Sequence, residues 1–184
     1  MGLTLPPPGV EVVLIVLVLA AAVYDVRYRR IPNWISVSGA VIGLALNTFL
    51  YRGLPGLIFS AKGLALGFGL YFVLYALHAM GAGDVKLMGA VGSLVGWEDW
   101  FAIFLVTAIL GGVLALLVMV LRGRVKKTIW NVGYILGEMT HGRPAYVSRE
   151  ELDVKSPKSV GLPHGAVIAV GTIFFLAFTL RFAP

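Results

Sequence analysis

Apolar runs separated by short polar breaks dominate the pattern of this chain. A bilayer core of about 30 Å needs about 20 helical residues. Runs near this length predict six membrane segments: Val10–Tyr24, Trp34–Leu50, Leu57–Ala79, Lys86–Trp97, Phe101–Leu121 and Pro163–Leu180. The Lys86–Trp97 run is short, which predicts a short or partly re-entrant segment that is buried in protein rather than exposed to lipid. The fold class is therefore all-α, a polytopic membrane helix bundle in a single domain over residues 1–184.

One long polar stretch, residues 122–162, interrupts this pattern before the last apolar run. Apolar residues recur at helical spacing from Val125 to Met139, beside Arg124, Lys126 and Lys127. A basic amphipathic helix of this kind is typical of a membrane surface. The stretch is therefore predicted to be a cytoplasmic loop whose amphipathic helix lies on the inner leaflet.

The distribution of positive charge predicts the orientation of the bundle. The loops after the first, third and fifth segments hold 12 of the 15 Lys and Arg residues. Because cytoplasmic loops carry the excess of positive charge, both chain termini are expected outside. Basic residues follow the first apolar run and none precedes it, which favours a retained first span over a secretory signal.

The composition supports a membrane protein and excludes several kinds of site. The chain is 59% hydrophobic and 13% charged, whereas soluble domains carry about 25% charged residues. Its net charge of +6 resides in the loops of a membrane protein, so the expected partner is the lipid bilayer and no nucleic acid. The absence of cysteine excludes disulfides and thiolate sites. The three histidines lack metal-ligand spacing, so no metal and no cofactor are predicted.

Two aspartates carry the strongest chemical signal. Asp25 ends the first apolar run, and Asp84 follows two glycines in Gly81-Ala82-Gly83-Asp84. Two antiparallel crossings separate them, so both are expected at the same depth near the cytoplasmic face. An ionisable group in a membrane is expensive and needs a reason to be there. Two close carboxylates share one proton, so one can activate water while the other donates to a carbonyl oxygen, as in an aspartic protease.

Each of these residues also has a simpler interpretation. Asp84 could cap the next helix, which is compatible with catalysis. Asp25 could be a boundary residue paired with Arg27 or Arg29. Lys86 could tune the acid pair or bind lipid phosphate. The sequence also leaves open which aspartate is the base and whether the two touch without substrate.

Several other residues are expected near the site or in the packing of the bundle. His78 and His164 lie near the predicted depth of the acids, and His141 lies in the long loop; each is expected to be an interfacial polar residue. Small residues let helices approach closely, and tryptophan favours the membrane interface. The predicted packing glycines are Gly39, Gly43, Gly63, Gly67, Gly92 and Gly96, and the predicted interfacial anchors are Trp34, Trp97 and Trp100.

Three stretches of the chain resemble the type IV prepilin peptidase family. They are Asp25 with Arg27 and Ile31-Pro32-Asn33, then Gly81-Ala82-Gly83-Asp84-Val85-Lys86-Leu87, and finally Pro163-His164-Gly165-Ala166. The compact form is similar to the branch that serves tight-adherence (Flp-type) pili, and archaeal preflagellin peptidases are related. The resemblance implies an intramembrane aspartic endopeptidase of the bacterial inner membrane, with Asp25 and Asp84 as catalytic residues and Gly81, Gly83 and Lys86 as the supporting motif.

The resemblance also implies a substrate and a partner class. Such an enzyme removes the short basic leader from pilin-like precursors, which have a single N-terminal hydrophobic helix, at the cytoplasmic face. Larger members carry a cytoplasmic region with paired cysteines and also methylate the new N-terminus. This chain has no cysteine and a short loop after its first segment, so methyltransferase activity is not expected. A homo-oligomer is compatible with the sequence, which leaves the oligomeric state open.

Two competing functions come from other classes. A proton-coupled transporter could use Asp25 and Asp84 as relay groups, but it would place acids nearer the midplane and often show an internal repeat. A non-catalytic partner in pilus assembly would tolerate the replacement of Asp25 by asparagine.

Overall fold

The computed structural model describes residues 6–123, 125–140 and 163–182. This part of the chain forms helices and no strands. Five of the helices are long and apolar enough to cross a membrane, namely all but α5. The helices are α1 (Pro8–Tyr28), α2 (Asn33–Leu50), α3 (Leu54–Ala76), α4 (Ala82–Leu121), α5 (Val125–Thr140) and α6 (His164–Phe182). The predicted all-α, polytopic bundle is confirmed.

Helix α4 contains the predicted fourth and fifth segments, joined at a sharp turn. Gly96 has a φ of 78° and a ψ of −178°, which is not helical. Four residues later, the Trp100 indole donates a hydrogen bond to the Met88 carbonyl at 3.0 Å. In a straight helix these residues would lie about 18 Å apart, so the chain folds back at Gly96. We call residues 82–95 the first arm and residues 97–121 the second arm.

The first arm is the central element of the bundle. Val85 and every residue of 87–96 are buried, and α1, α2, α3 and α6 all pack against α4. The arm is about 21 Å long, which is too short to cross a bilayer core of about 30 Å. Its burial agrees with the predicted short segment enclosed by protein.

Glycines bring α3 and α4 together at backbone distance. All six of the predicted packing glycines are buried. A side chain on Gly63 would collide with the Gly92 carbonyl, and one on Gly92 would collide with the Gly63 carbonyl. The two helices therefore approach closely because both residues lack a side chain.

Polar side chains from neighbouring helices donate hydrogen bonds to backbone carbonyl groups at the end of the first arm. A helix end leaves carbonyl groups without partners, and apolar surroundings make this costly. The Asn47 amide donates to the Ser93 and Leu94 carbonyls at 2.8 and 3.0 Å, and the Ser60 hydroxyl donates to the Ser93 carbonyl. These bonds stabilise the turn at Gly96.

The prediction for one tryptophan is wrong. Trp34 and Trp97 are exposed, as interfacial anchors should be, but Trp100 is 0% exposed. The turn at Gly96 directs Trp100 into the bundle, where its indole bonds to Met88 and stacks on Phe104 with ring centroids 5.5 Å apart.

Helix α5 matches the amphipathic helix predicted from the long loop. Its side chains Ile129, Trp130 and Val132 are exposed. Its placement on the inner leaflet stays a prediction. His141 and most of the predicted loop lie outside the described residues.

Candidate active site

Asp25 lies at one end of the bundle, where α1 ends and α6 begins. It is one turn before the end of α1 at Tyr28 and is only 8% exposed. Its Oδ2 accepts a hydrogen bond from the Gly165 backbone N–H at 2.7 Å. Gly165 is the second residue of α6, and the free N–H groups of a helix N-terminus favour a negative charge. The start of α6 therefore holds this carboxylate in place.

The burial of Asp25 differs from the exposed setting expected of a boundary residue at the headgroups. The carboxylate of Asp25 is buried against α6. The Arg27 guanidinium lies over the Tyr28 ring, 5.6 Å from its centroid. Asp25 is therefore an interior residue of the helix end.

Asp84 lies in the first turn of α4, three residues after Gly81, whose backbone is extended. Its Oδ2 accepts a hydrogen bond from the Gly81 N–H at 3.3 Å, which is the capping arrangement that the sequence allowed. A carboxylate in the first turn of a helix also interacts favourably with the helix dipole. Capping leaves the second carboxylate oxygen available for chemistry.

The fold brings the two predicted acids together. Asp25 and Asp84 interact electrostatically, although two complete crossings of the bundle separate them in the sequence. Like charges at short range favour a shared proton. The site thus has the main element of two-carboxylate acid–base chemistry.

An aromatic residue and a histidine complete the polar surroundings. Tyr71, five residues before the end of α3, is 1% exposed and interacts electrostatically with Asp84. His164 interacts in the same way with Asp25, and its ring centroid lies 6.1 Å from that of Tyr71. His164 was expected near the acids, whereas Tyr71 was missed because a tyrosine inside an apolar run carries no distinctive signal.

The supporting motif makes contacts with the Ile31-Pro32-Asn33 stretch. The Lys86 ammonium donates a hydrogen bond to the Asn33 side-chain oxygen at 2.8 Å. Gly83 packs on Ile31, and a methyl group added at Gly83 would lie 3.2 Å from Ile31 Cβ. Lys86 therefore has a protein partner, in addition to the two roles that the sequence suggested.

His78 lies in the turn after α3, with its Nδ1 3.1 Å from the Ala76 carbonyl.

Across residues 6–123, 125–140 and 163–182, no group of three or more His, Cys, Asp or Glu side chains could hold a metal ion.

Comparison with known proteins identifies the family. The type IV leader peptidase family matches residues 12–116, a segment that contains both aspartates. The chain belongs to the type IV leader peptidase family. This confirms the resemblance drawn from the sequence motifs, and it identifies an integral membrane protein of a peptidase family.

One curated relative adds a more specific name. A prepilin leader peptidase/N-methyltransferase of Legionella pneumophila is 28% identical over 109 residues, which cover 56% of this chain and 38% of the relative. The matched segment thus spans well under half of the relative's length. No solved structure matches the chain.

Proposed function

We propose that this member of the type IV leader peptidase family is an intramembrane aspartic endopeptidase. It removes the short basic leader from type IV prepilin-like precursors at the cytoplasmic face of the bacterial inner membrane. The observation that carries the proposal is that both acids border one side chain at the end of the bundle. Ile31 packs on Gly83, which precedes Asp84, and on Gly165, which donates a hydrogen bond to Asp25. Membership of the family and the name of the relative support the substrate class.

The reaction needs the two carboxylates in different protonation states. One takes a proton from water, whose oxygen attacks the scissile carbonyl carbon, while the other donates its proton to the carbonyl oxygen. When the C–N bond breaks, a proton passes to the leaving amine. The pair titrates as a unit, so the proposal assigns the two roles to the pair and not to either residue. Gly81 carries no side chain beside the Asp84 carboxylate, which allows a substrate backbone to approach that carboxylate.

The depth of the site suits the substrate. A prepilin inserts one apolar helix and leaves its basic leader in the cytoplasm, so its scissile bond lies near the inner interface. Asp25 and Asp84 are near helix ends, and the distribution of Lys and Arg favours a cytoplasmic location for this end. A proton relay of a transporter would more often lie near the midplane, which favours the peptidase. The N-methyltransferase activity in the relative's name is not part of the proposal, because the match covers only 38% of that relative.

Cleavage of a co-expressed prepilin tests the mechanism. We expect the wild-type protein to cut between the leader and the apolar helix, as shown by N-terminal sequencing. Asp25→Asn and Asp84→Asn should each reduce the rate about 10³-fold or more, because the pair acts as a unit. Glu98→Gln is the matched control, since Glu98 is an exposed acid in the turn region near Gly96. Full activity in either Asp variant would refute the aspartic mechanism.

Thiol labelling tests the orientation independently of activity. The chain has no cysteine, so Arg30→Cys and Arg52→Cys each introduce a single thiol at an exposed position. A membrane-impermeant maleimide should label Arg52→Cys in spheroplasts, but should label Arg30→Cys only after the membrane is opened. The reverse pattern would contradict a cytoplasmic site.

A further inference from the structure

The corner between α1 and α2, residues 29–33, is bent sharply and turns one apolar side chain inward. Arg29 has a left-handed φ of 53°, and Pro32 has an extended backbone before α2 begins. Arg29 and Arg30 are exposed, but Ile31 is only 5% exposed. Although it follows two exposed arginines, Ile31 is buried and contributes apolar packing at the end of the bundle.

Ile31 lies against the starts of both α4 and α6. A methyl group added at Gly83 would lie 3.2 Å from Ile31 Cβ, and one added at Gly165 would lie 2.9 Å from Ile31 Cδ1. Gly83 directly precedes Asp84, and Gly165 donates its N–H to Asp25. One side chain therefore packs on the backbone neighbours of both carboxylates.

Asn33 contacts α4 on the other side of Asp84. Its side-chain oxygen accepts the hydrogen bond from Lys86 at 2.8 Å. A positive charge near a helix N-terminus interacts unfavourably with the helix dipole. The hydrogen bond to Asn33 therefore stabilises the Lys86 ammonium in an unfavourable position. The corner thus fixes α4 at residues 83 and 86, which flank Asp84.

We propose that Ile31 and Asn33 are positioning residues for the carboxylate pair. The corner fixes the start of α4 against α1 and α6, and this sets the separation of Asp25 and Asp84. The catalytic consequence rests on the proposed function, whereas the geometric consequence does not.

Cross-linking measures the geometric consequence without any cleavage. The cysteine-free chain allows Asp25→Cys and Asp84→Cys to be combined, so that the protein carries only these two thiols. The rate of cross-linking by a short bifunctional maleimide, in membranes, reports how often the two positions meet at the required separation. All further variants are compared in this same background.

The variants remove each contact and are paired with controls on exposed positions. We expect slower cross-linking in Asn33→Ala, Lys86→Ala and Ile31→Ala, and an unchanged rate in the controls Lys62→Ala and Val37→Ala. Asn33→Asp, which keeps an acceptor for Lys86, should restore most of the rate that Asn33→Ala loses. Ile31→Val serves where Ile31→Ala does not fold, as judged by thermal unfolding. Unchanged rates in the three contact variants would overturn the proposal, even if their activity fell.

Kinetics on a prepilin measure the catalytic consequence in the chain that retains both aspartates. Asn33→Ala and Lys86→Ala should each reduce kcat about 10- to 100-fold through misplacement of the reacting groups, with little change in KM. Because both variants break one contact, the double variant should be no slower than the slower single variant. Additive losses would overturn the shared positioning role. If the wild-type protein cleaves no prepilin, the proposed function fails, and the cross-linking rates still decide the placement of the pair.

Discussion

A single methyl group at Gly165 should disturb the carboxylate pair. Gly165→Ala places a Cβ 3.1 Å from both Asp25 Cβ and Asp25 Oδ2, and 2.9 Å from Ile31 Cδ1. Ordinary van der Waals contacts lie at 3.4–4 Å. Asp25 or Ile31 must therefore move by several tenths of an ångström, and the hydrogen bond from the Gly165 N–H, now 2.7 Å long, must adjust with them.

The expected magnitude follows from the cost of overpacking. Forcing an extra methyl group into a packed site costs about 1–3 kcal/mol. If that cost falls on the arrangement needed for reaction, kcat/KM should fall about 5- to 150-fold. Part of the cost should also appear as a lower stability.

The assay compares Gly165→Ala with a second helical glycine. Gly112→Ala also replaces a helical glycine, but no neighbouring heavy atom lies within 4 Å of its added methyl group. Both variants and the wild-type protein are purified in the same detergent, and prepilin cleavage is measured as kcat/KM alongside thermal unfolding. We expect full activity in Gly112→Ala and the stated loss in Gly165→Ala.

Two results would refute this reasoning. If Gly165→Ala cleaves as fast as Gly112→Ala, the contact between α6 and Asp25 does not matter for catalysis. If both variants lose activity equally, the loss comes from a general effect of alanine in helices and not from this contact.

Three further predictions concern packing, the helix turn and pH. Gly63→Ala should destabilise the bundle by about 1–3 kcal/mol or more, because its methyl group meets the Gly92 carbonyl, whereas Gly69→Ala has open space; thermal unfolding in detergent compares the two. Asn47→Ala should lower the stability by about 1–3 kcal/mol, since two backbone carbonyls, including that of Ser93, lose a donor; an unchanged unfolding temperature would contradict the capping role. Cleavage by the wild-type protein should show a bell-shaped pH profile, falling when both carboxylates are protonated and when both are ionised; a single sigmoid would argue against a shared proton.

Most of the fold could be predicted from two features of the sequence, the lengths of the apolar runs and the positions of the glycines. The apolar runs predicted α2 almost to the residue and α1, α3 and α6 within a few residues, because a membrane requires continuous helices of a set length. The packing glycines were equally readable, since a buried glycine in an apolar helix has few other uses.

The features that the sequence did not predict depend on how the backbone turns and on which helices become neighbours. Trp100 lies near a polar turn, which favours an interfacial residue, and only the backbone angles of Gly96 turn it inward. The aspartates were readable as a pair because membrane crossings fix depth. The hydrogen-bond partner of Asp25 could not be predicted from the sequence, because the bond from Gly165 depends on how α6 packs beside α1. Periodicity does not specify which helices are neighbours.

The position of α6 in the chain has a consequence for biogenesis. Proteins are made from the N-terminus, so among the described helices α6 leaves the ribosome last. Until then, Asp25 lacks its hydrogen-bond donor and one wall around the first arm of α4 is absent. In nascent chains with α1 to α4 already inserted, Asp25 therefore lacks a contact that Asp84, whose hydrogen-bond donor is Gly81, already has. Among the described helices, the one that completes the surroundings of Asp25 is therefore the last to be made.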